Sequence, residues 1–334
     1  MPDWLVYIGY AVMVAVIVVL SMKLGKYVDV IDAKSNISGA FVGGVMLAAV
    51  TSLPELFTSL SAVWIVRENS MIIGNILGSD LINLAFFGVI LLIFGRGLKK
   101  AKFSEFYYIA LCVALGMYAL IAVGLYLADY MQITWFSAVS PVILVMYVLF
   151  VSKMPKTADN EEKKSDDALT FKQALSRFFV CAIVLIGASI SMTYLSDIVA
   201  DKLALGKTFA GALFLGVATS LPELISSATL CKRGNYDAAA GNIIGSNVFN
   251  FAILFVADAL SFMPDNSHIY ILNDDSFYLL IFGAAATVAT LGMMLVKNKL
   301  KPTRPALIGV HVINVVPPVL YILYLLLTTA VISL

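Results

Sequence analysis

Charged and metal-binding side chains are scarce in this chain of 334 residues. Only 13% of the residues are charged, and the sequence contains 3 cysteines and 2 histidines. With 61% hydrophobic residues and a mean hydropathy of +0.94, the chain has more apolar surface than a water-soluble domain of this size needs. This composition indicates a polytopic membrane protein. The net charge of +1 does not point to nucleic acid, and we expect no such partner.

Several other signals are missing. The cysteines at 112, 181 and 231 lie in or beside apolar segments without metal-ligand spacing, so we expect them to be small core residues. The N-terminus begins Met-Pro-Asp without a basic segment, which favours a retained first membrane span over a signal peptide. No phosphate-binding loop is present, so no use of ATP is expected. Neither Ser52 nor Ser220 has a neighbouring base, so we expect neither an enzyme nor a cofactor.

Apolar runs of roughly 20 residues, the length that spans a bilayer, follow one another along the chain. They cover about 4–22, 37–65, 71–95, 104–126, 133–152, 173–196, 208–230, 238–262, 276–296 and 306–331. The sequence therefore predicts an all-α membrane protein with ten transmembrane helices. Its expected partner is the lipid bilayer that surrounds these helices.

The basic residues are distributed unequally between the loops. Of the 22 lysines and arginines, only Arg67, Lys202 and Lys207 fall in loops after even-numbered runs. Because basic loops stay on the cytoplasmic side, both termini are predicted to lie outside. We expect an integral protein of a prokaryotic cytoplasmic membrane.

The stretch Thr-Ser-Leu-Pro-Glu occurs twice, at 51–55 and at 219–223. Each copy is followed by Gly-Asn-x-x-Gly-Ser-x-x-x-Asn, at 74–83 and at 241–250. In the predicted topology the two copies cross the membrane in opposite directions. Inverted repeats of this kind are a recurrent plan of secondary transporters, with ions bound between the repeats at the membrane midplane.

The repeat divides the chain into two predicted five-helix units of inverted topology. The first unit is 1–153, with its shared motifs within about 37–95, and the second is 172–334, with its shared motifs within about 205–262. Between them, residues 154–171 are rich in charges of both signs. We expect this segment to be a solvated cytoplasmic linker.

Glu55 and Glu223 place two carboxylates inside apolar runs, where each costs several kcal/mol, on the order of 3. Proline precedes each glutamate and removes a helix hydrogen bond, so the carbonyls near Ala48 and Gly216 are expected to point into the core. Further oxygen donors are expected to line the same place. They are Thr51, Ser52, Thr219, Ser220, Ser79, Asn83, Ser246 and Asn250.

All of these donors are hard oxygen atoms without histidine or cysteine, which disfavours zinc and copper. Two carboxylates with several neutral oxygens suit Ca²⁺, which takes six to eight oxygen ligands. Na⁺ could use the same oxygens, and protons could occupy the glutamates. The glycines at 74, 78, 241 and 245 are expected to allow close packing of the same helices.

The two motifs resemble the alpha-repeats of the sodium/calcium exchanger superfamily. The resemblance implies antiport of Ca²⁺ against another cation, with Glu55 and Glu223 as principal ligands. It also implies that the hydroxyl and amide residues named above take the remaining ligand positions. The Ala48 and Gly216 carbonyls would help to bind Na⁺.

The sequence departs from that family at two places. Prokaryotic members usually have aspartate at one of the two positions that Asn83 and Asn250 occupy here. Asp80, in turn, stands where the family has asparagine. Two carboxylates balance one Ca²⁺, two Na⁺ or two protons, so a proton-coupled Ca²⁺ exchanger and, as a third alternative, a cation channel stay open. Asn75, Ser79 and Asn83 recur every four residues and so form a polar stripe on one helix face, as do Asn242, Ser246 and Asn250 in the second copy. One residue beyond Ser79, Asp80 is expected to point about 100° away from the first stripe. Its contact with a transported ion is the lesser alternative.

Overall fold

The fold is helical throughout the part of the chain that the structure describes. The computed structural model describes residues 3–34, 51–98, 101–131, 139–153, 169–265, 269–299 and 304–332. The longer helices are α1 (Asp3–Lys34), α2 (Leu53–Ser61), α3 (Ser70–Ile93), α4 (Phe106–Met131), α5 (Val139–Ser152), α6 (Phe171–Lys202), α7 (Lys207–Thr219), α8 (Leu221–Lys232), α9 (Tyr236–Asp265), α10 (Asp274–Lys299) and α11 (Arg304–Ile332). Strands are absent from these described ranges.

Seven helices of the described residues are long and apolar enough to cross a membrane, and the bent pair α7 and α8 would make an eighth span. The apolar helices Leu53–Val66 and Val139–Ser152 are shorter, and each begins close to a segment outside the described residues. The protein is therefore an all-helical membrane protein. The count of ten spans stays a prediction, and most of the predicted linker, 154–168, lies outside the described ranges.

Helix α3 lies at the centre of the bundle and packs against α7, α9, α10 and α11. In its most apolar stretch 78% of the residues are buried, whereas the value for α1 is 17%. Helix α1 packs along α6, and an ion pair joins Asp3 to Lys202. The outward side chains of α1 include Trp4, Val12 and Val19. This apolar outer face fits contact with lipid.

Both copies of the Thr-Ser-Leu-Pro-Glu motif coincide with a helix start. Helix α7 passes through a π-helical segment at Gly211–Gly216, and α7 and α8 are bent by 42° at their junction. Helix α8 begins at Leu221 and α2 begins at Leu53, so Pro222 and Pro54 are each the second helical residue. Proline fits the first turn of a helix because it has no N–H to leave unpaired. The prolines thus fix where each glutamate-bearing helix begins.

Candidate functional site

The two glutamates of the repeated motif lie at the starts of α2 and α8, and both side chains are fully buried. The N-terminal end of a helix carries partial positive charge, which favours a carboxylate there. The charges of Glu55 and Glu223 lie close enough to interact with each other. The structure therefore brings together two acidic groups that are 168 positions apart in the sequence.

Each glutamate is approached by one hydroxyl residue of the other copy of the motif, Ser52 for Glu223 and Thr219 for Glu55, and Glu223 also by Ser246 of its own copy. The Oε1 atom of Glu223 accepts a hydrogen bond from the Ser52 hydroxyl at 3.5 Å and one from the Ser246 hydroxyl at 3.4 Å. Conversely, the Thr219 side chain lies beside the carboxylate of Glu55. These reciprocal contacts make one site from two distant segments.

The serine of each polar stripe contacts the threonine of the opposite motif. Thr51 Oγ1 lies 3.2 Å from Ser246 Oγ, and Ser79 Oγ lies 3.5 Å from Thr219 Oγ1. All four side chains are buried. The hydroxyls predicted from the sequence therefore meet around the glutamate pair.

The backbone contribution differs from the prediction. The Gly216 carbonyl accepts a hydrogen bond from the Ser220 N–H at 3.2 Å and one from the Ser79 hydroxyl at 3.3 Å. The Gly216 carbonyl is not left free, because its partner Ser220 lies before Pro222. The helix bond that the missing N–H of Pro222 removes is the one to the carbonyl four residues earlier, at Ala218. The buried Ser220 hydroxyl has no partner among the described residues. Ala48 lies outside the described residues.

Asp80 lies in the same buried polar centre as the two glutamates and the asparagines of α3 and α9. Its Oδ1 atom accepts a hydrogen bond of 2.9 Å from the Asn250 amide, and its backbone carbonyl accepts one of 2.9 Å from the Asn247 amide. The Asn83 amide donates in turn to Asn247 Oδ1 at 3.0 Å. These contacts arise because α9 packs against α3, so Asn250 and Asn247 reach Asp80 although it lies one residue beyond Ser79.

Asn247 was not among the residues selected from the sequence. It occupies the same place in the second motif as Asp80 in the first, and this alignment is the signal that could have identified it. Its side chain connects Asn83 to the backbone of Asp80. Asn247 therefore orders the amide groups at the crossing of α3 and α9.

The buried polar atoms without hydrogen-bond partners in this centre are oxygens, as far as the structure describes it. They are Glu55 Oε1 and Oε2, Glu223 Oε2, Asp80 Oδ2, Asn83 Oδ1, Asn250 Oδ1 and Ser220 Oγ. The amide nitrogens of Asn83 and Asn250, by contrast, donate hydrogen bonds. An unsatisfied buried acceptor costs about 1–3 kcal/mol, and more when it is charged. Cations, or protons on the carboxylates, are the partners that such a set of acceptors can take.

Two asparagines hold the glutamate-bearing helices to the polar stripes in an equivalent manner. Asn75 Nδ2 lies 3.0 Å from both Thr58 Oγ1 and Ser59 Oγ and 3.3 Å from the Glu55 carbonyl. Asn242 Nδ2 lies 2.9 Å from Ser226 Oγ, 3.0 Å from Ser227 Oγ and 3.5 Å from the Glu223 carbonyl. These amides fix the first turns of α2 and α8, and thereby the backbone of each glutamate.

Substituting either asparagine by alanine should weaken ion binding without removing any predicted ligand. Asn75→Ala leaves two buried hydroxyls without their donor, and Asn242→Ala leaves one buried and one half-buried hydroxyl without theirs, which costs about 1–3 kcal/mol of stability. We expect a lower melting temperature and an apparent Ca²⁺ affinity reduced about tenfold, since 1.4 kcal/mol corresponds to that factor.

The matched control for these variants is Asn235→Ala. Asn235 caps α9 at an exposed position, where its Oδ1 accepts the Ala238 N–H. Loss of this cap should cost about 1 kcal/mol of stability with unchanged Ca²⁺ affinity. Unchanged affinity in Asn75→Ala and Asn242→Ala would show that the two amides do not position the glutamates.

Comparison with known proteins identifies the family to which the sequence is similar. The sequence profile of the family described as "Sodium/calcium exchanger protein" matches residues 5–153 and 174–332. The inner membrane protein YrbG of Escherichia coli (strain K12) is 29% identical over 234 residues, which are 66% of this chain and 68% of YrbG.

Two solved structures share the fold. The H⁺/Ca²⁺ exchanger CAX aligns with a TM-score of 0.69 at 12% identity, over 97% of this chain and 87% of CAX. The sodium-calcium exchanger NCX_Mj, soaked with Na⁺ and Ca²⁺, aligns with a TM-score of 0.55 at 20% identity, over 94% of this chain and 97% of NCX_Mj. The family profile covers nearly the whole sequence, and the chain therefore belongs to the sodium/calcium exchanger protein family, whose members are transporters and not enzymes.

Proposed function

We propose that the protein is a secondary antiporter that exchanges Ca²⁺ for Na⁺ at one shared site in the middle of the membrane. The observation that carries this proposal is the set of buried oxygens around Glu55 and Glu223 that lack partners among the described residues. Two carboxylates and several neutral oxygens suit Ca²⁺, which tolerates irregular geometry with six to eight ligands. The same oxygens can bind Na⁺ when Ca²⁺ has left.

The ligands that we assign to this site are those expected from the sequence. The proposed set is Glu55, Glu223, Thr51, Ser52, Thr219, Ser220, Ser79, Asn83, Ser246 and Asn250, with the carbonyls of Ala48 and Gly216. Mutual contacts of the Thr51, Ser246, Ser79 and Thr219 hydroxyls support their assignment. The transported ions are substrates, and the proposal includes no resident cofactor and no ATP.

Alternating access follows from the electrostatics of the glutamate pair. Without a cation, Glu55 and Glu223 repel each other in a medium of low polarity, so an empty site opposes closure of the protein around it. A bound cation removes this repulsion and permits passage between the two open states. The same proposal includes a topology of ten helices in two inverted five-helix repeats, with both termini on the outer side of the cytoplasmic membrane.

A proton-coupled Ca²⁺ exchanger is the second candidate. Asn83 and Asn250 are neutral amides, so the glutamate pair alone can bind either two Na⁺ or two protons in place of one Ca²⁺. The similarity of the fold to the H⁺/Ca²⁺ exchanger CAX agrees with either coupling ion. The choice between the ions needs a transport measurement.

The test is ion replacement in proteoliposomes that contain the purified protein. We expect Ca²⁺ uptake when Na⁺ is trapped inside and diluted outside, and no uptake when choline replaces Na⁺ at constant pH. Uptake driven by a pH gradient in the absence of Na⁺ would instead assign proton coupling. Ca²⁺ conductance that needs no counter-gradient would indicate a channel and contradict both exchangers.

A further inference from the structure

Tyr10 is a residue of α1 that lies outside the proposed ligand set and contacts the helix leading into the second Thr-Ser-Leu-Pro-Glu motif. Its hydroxyl donates a hydrogen bond of 2.7 Å to the backbone carbonyl of Phe214. The two rings also meet edge to face, with their centroids 5.6 Å apart, an arrangement that aromatic pairs prefer. Tyr10 thus joins α1 to α7 through both its ring and its hydroxyl.

The accepting carbonyl belongs to the π-helical segment of α7, Gly211–Gly216. Backbone hydrogen bonds span five residues in a π-helix and four in an α-helix, so one carbonyl is passed over where the spacing returns from five to four. The four-residue spacing is present at the bond from the Ser220 N–H to the Gly216 carbonyl, two residues beyond Phe214. Tyr10 therefore supplies a donor where the α7 backbone changes its hydrogen-bond spacing and the bilayer offers no water in its place.

The turn that follows Phe214 positions one of the proposed ligands. The carbonyl of the next residue, Leu215, accepts the Thr219 hydroxyl at 2.9 Å. The Thr219 side chain in turn lies beside the carboxylate of Glu55. A shift of this turn would draw Thr219 away from Glu55, and the hydrogen bond from Tyr10 opposes such a shift.

The contact belongs to one half of the site. Helices α1 and α6 are each 32 residues long and begin 168 positions apart, which is also the spacing of the two Thr-Ser-Leu-Pro-Glu motifs. The α6 residue equivalent to Tyr10 is Phe178, whose ring carries no hydroxyl. Helix α6 contacts α2 instead through Thr193, whose hydroxyl donates to the Thr58 carbonyl at 3.3 Å. The hydrogen bond of Tyr10 is therefore specific to this chain's second motif and is not part of the repeat.

We propose that Tyr10 is a positioning residue of the cation site, which holds the π-helical segment of α7 so that Thr219 keeps its place beside Glu55. This role rests on the Ca²⁺ binding proposed above. Removal of the hydroxyl should raise the dissociation constant for Ca²⁺ about fivefold, the factor that corresponds to one hydrogen bond of typical net strength. The fold should persist, because the ring contact with Phe214 remains.

The test is equilibrium binding of radioactive Ca²⁺ to the purified protein in detergent, without Na⁺ and at constant pH. Tyr10→Phe should elute as folded protein and bind Ca²⁺ about fivefold more weakly than the wild type. Its maximal rate of Ca²⁺ uptake in proteoliposomes should change less than about twofold, because the loss concerns binding. Tyr10→Leu also removes the donor and should weaken binding at least as much. Tyr7→Phe is the matched control, since Tyr7 is an exposed tyrosine of the same helix, and its affinity should equal that of the wild type.

A pair of double-mutant cycles separates positioning from a general structural role. If Tyr10 acts through Thr219, Tyr10→Phe should weaken Ca²⁺ binding by less than about twofold in the Thr219→Ala background, because the group that it positions is gone. Asn83→Ala provides the comparison background, since the Asn83 amide pairs with Asn247 where α3 and α9 cross. There the fivefold effect of Tyr10→Phe should persist.

The outcomes distinguish this inference from the proposed function. Wild-type affinity in Tyr10→Phe and Tyr10→Leu would overturn the role of Tyr10, and so would an undiminished effect in the Thr219→Ala background. Loss of folded protein in both variants would also contradict it, because a positioning residue leaves the fold intact. Absence of saturable Ca²⁺ binding in the wild type would instead defeat the proposed function, and the role of Tyr10 with it.

Discussion

Glu55→Gln and Glu223→Gln should each abolish Ca²⁺ exchange in proteoliposomes. Glutamine preserves the size of the side chain but removes one of the two charges that are proposed to balance Ca²⁺. Removing one partner of a buried ion pair, here a carboxylate that faces the bound Ca²⁺, costs about 3–5 kcal/mol, and 1.4 kcal/mol corresponds to a factor of ten. The apparent Ca²⁺ affinity should therefore fall by more than about a hundredfold. The measurement is radioactive Ca²⁺ uptake against a Na⁺ gradient.

The two substitutions should have similar effects, because Ser52 lies beside Glu223 and Thr219 lies beside Glu55. Glu105→Gln is the control, since Glu105 is exposed at the beginning of α4, and its uptake should equal that of the wild type. Both buried variants should elute as folded protein in detergent. Exchange retained by either of them would refute a site that needs both carboxylates.

Gly78→Ala and Gly211→Ala should prevent the correct packing of α3 against α7. A methyl group on Gly78 would lie 2.5 Å from the Cα atom of Ala212, and one on Gly211 would meet the backbone carbonyl of Met71. Backbone atoms cannot move aside as flexible side chains can. The cost should therefore lie at or above the upper end of the usual range for overpacking, about 1–3 kcal/mol.

The substitutions should impair transport as well as stability, because Ser79, Gly216 and Thr219 meet where α3 and α7 cross. We expect strongly reduced yield of folded protein and no measurable Ca²⁺ exchange in what remains. Fluorescence-detected size exclusion and the uptake assay measure these two effects. Wild-type yield and transport in Gly78→Ala would mean that α3 and α7 do not pack as closely as described.

Two other helical glycines provide the matched controls. Gly187 in α6 and Gly292 in α10 have no atoms within 4 Å of the position of an added Cβ. Alanine there should be neutral or stabilise the helix, by about 0.5–1 kcal/mol, since glycine loses more backbone entropy on folding. Folded yield and uptake of Gly187→Ala and Gly292→Ala should match those of the wild type.

The sequence predicts the class of the protein, the burial of two glutamates inside apolar segments and a break in the helix hydrogen bonding at the proline before each of them. This is possible because each of these depends on local patterns: apolar length, a repeated motif, and proline before glutamate. Burial of Glu55 and Glu223 at the starts of α2 and α8 agrees with those patterns. The ten-span count and the ligand roles stay predictions.

The errors concern contacts between helices, which local patterns do not determine. A helical wheel gives the direction of Asp80 relative to Ser79 but not the path of α9, whose Asn250 meets Asp80. The role of Asn247 depends on the same crossing. The carbonyl of Gly216 was expected to be free, whereas the turn that ends α7 pairs it with Ser220. The predicted partner of this carbonyl in the first repeat, Ala48, lies outside the described residues.

Asp80 and Asn247 occupy equivalent positions of the two motifs, and only one of them carries a charge. In a transporter built from two identical inverted halves, the inward-open and outward-open forms would have equal energies. An acid on only one side of the proposed pseudo-symmetry axis is one of the differences between the halves that make the two forms unequal in energy. The two forms should therefore be unequally populated at rest, and the exchanger should load ions more readily from one face of the membrane than from the other.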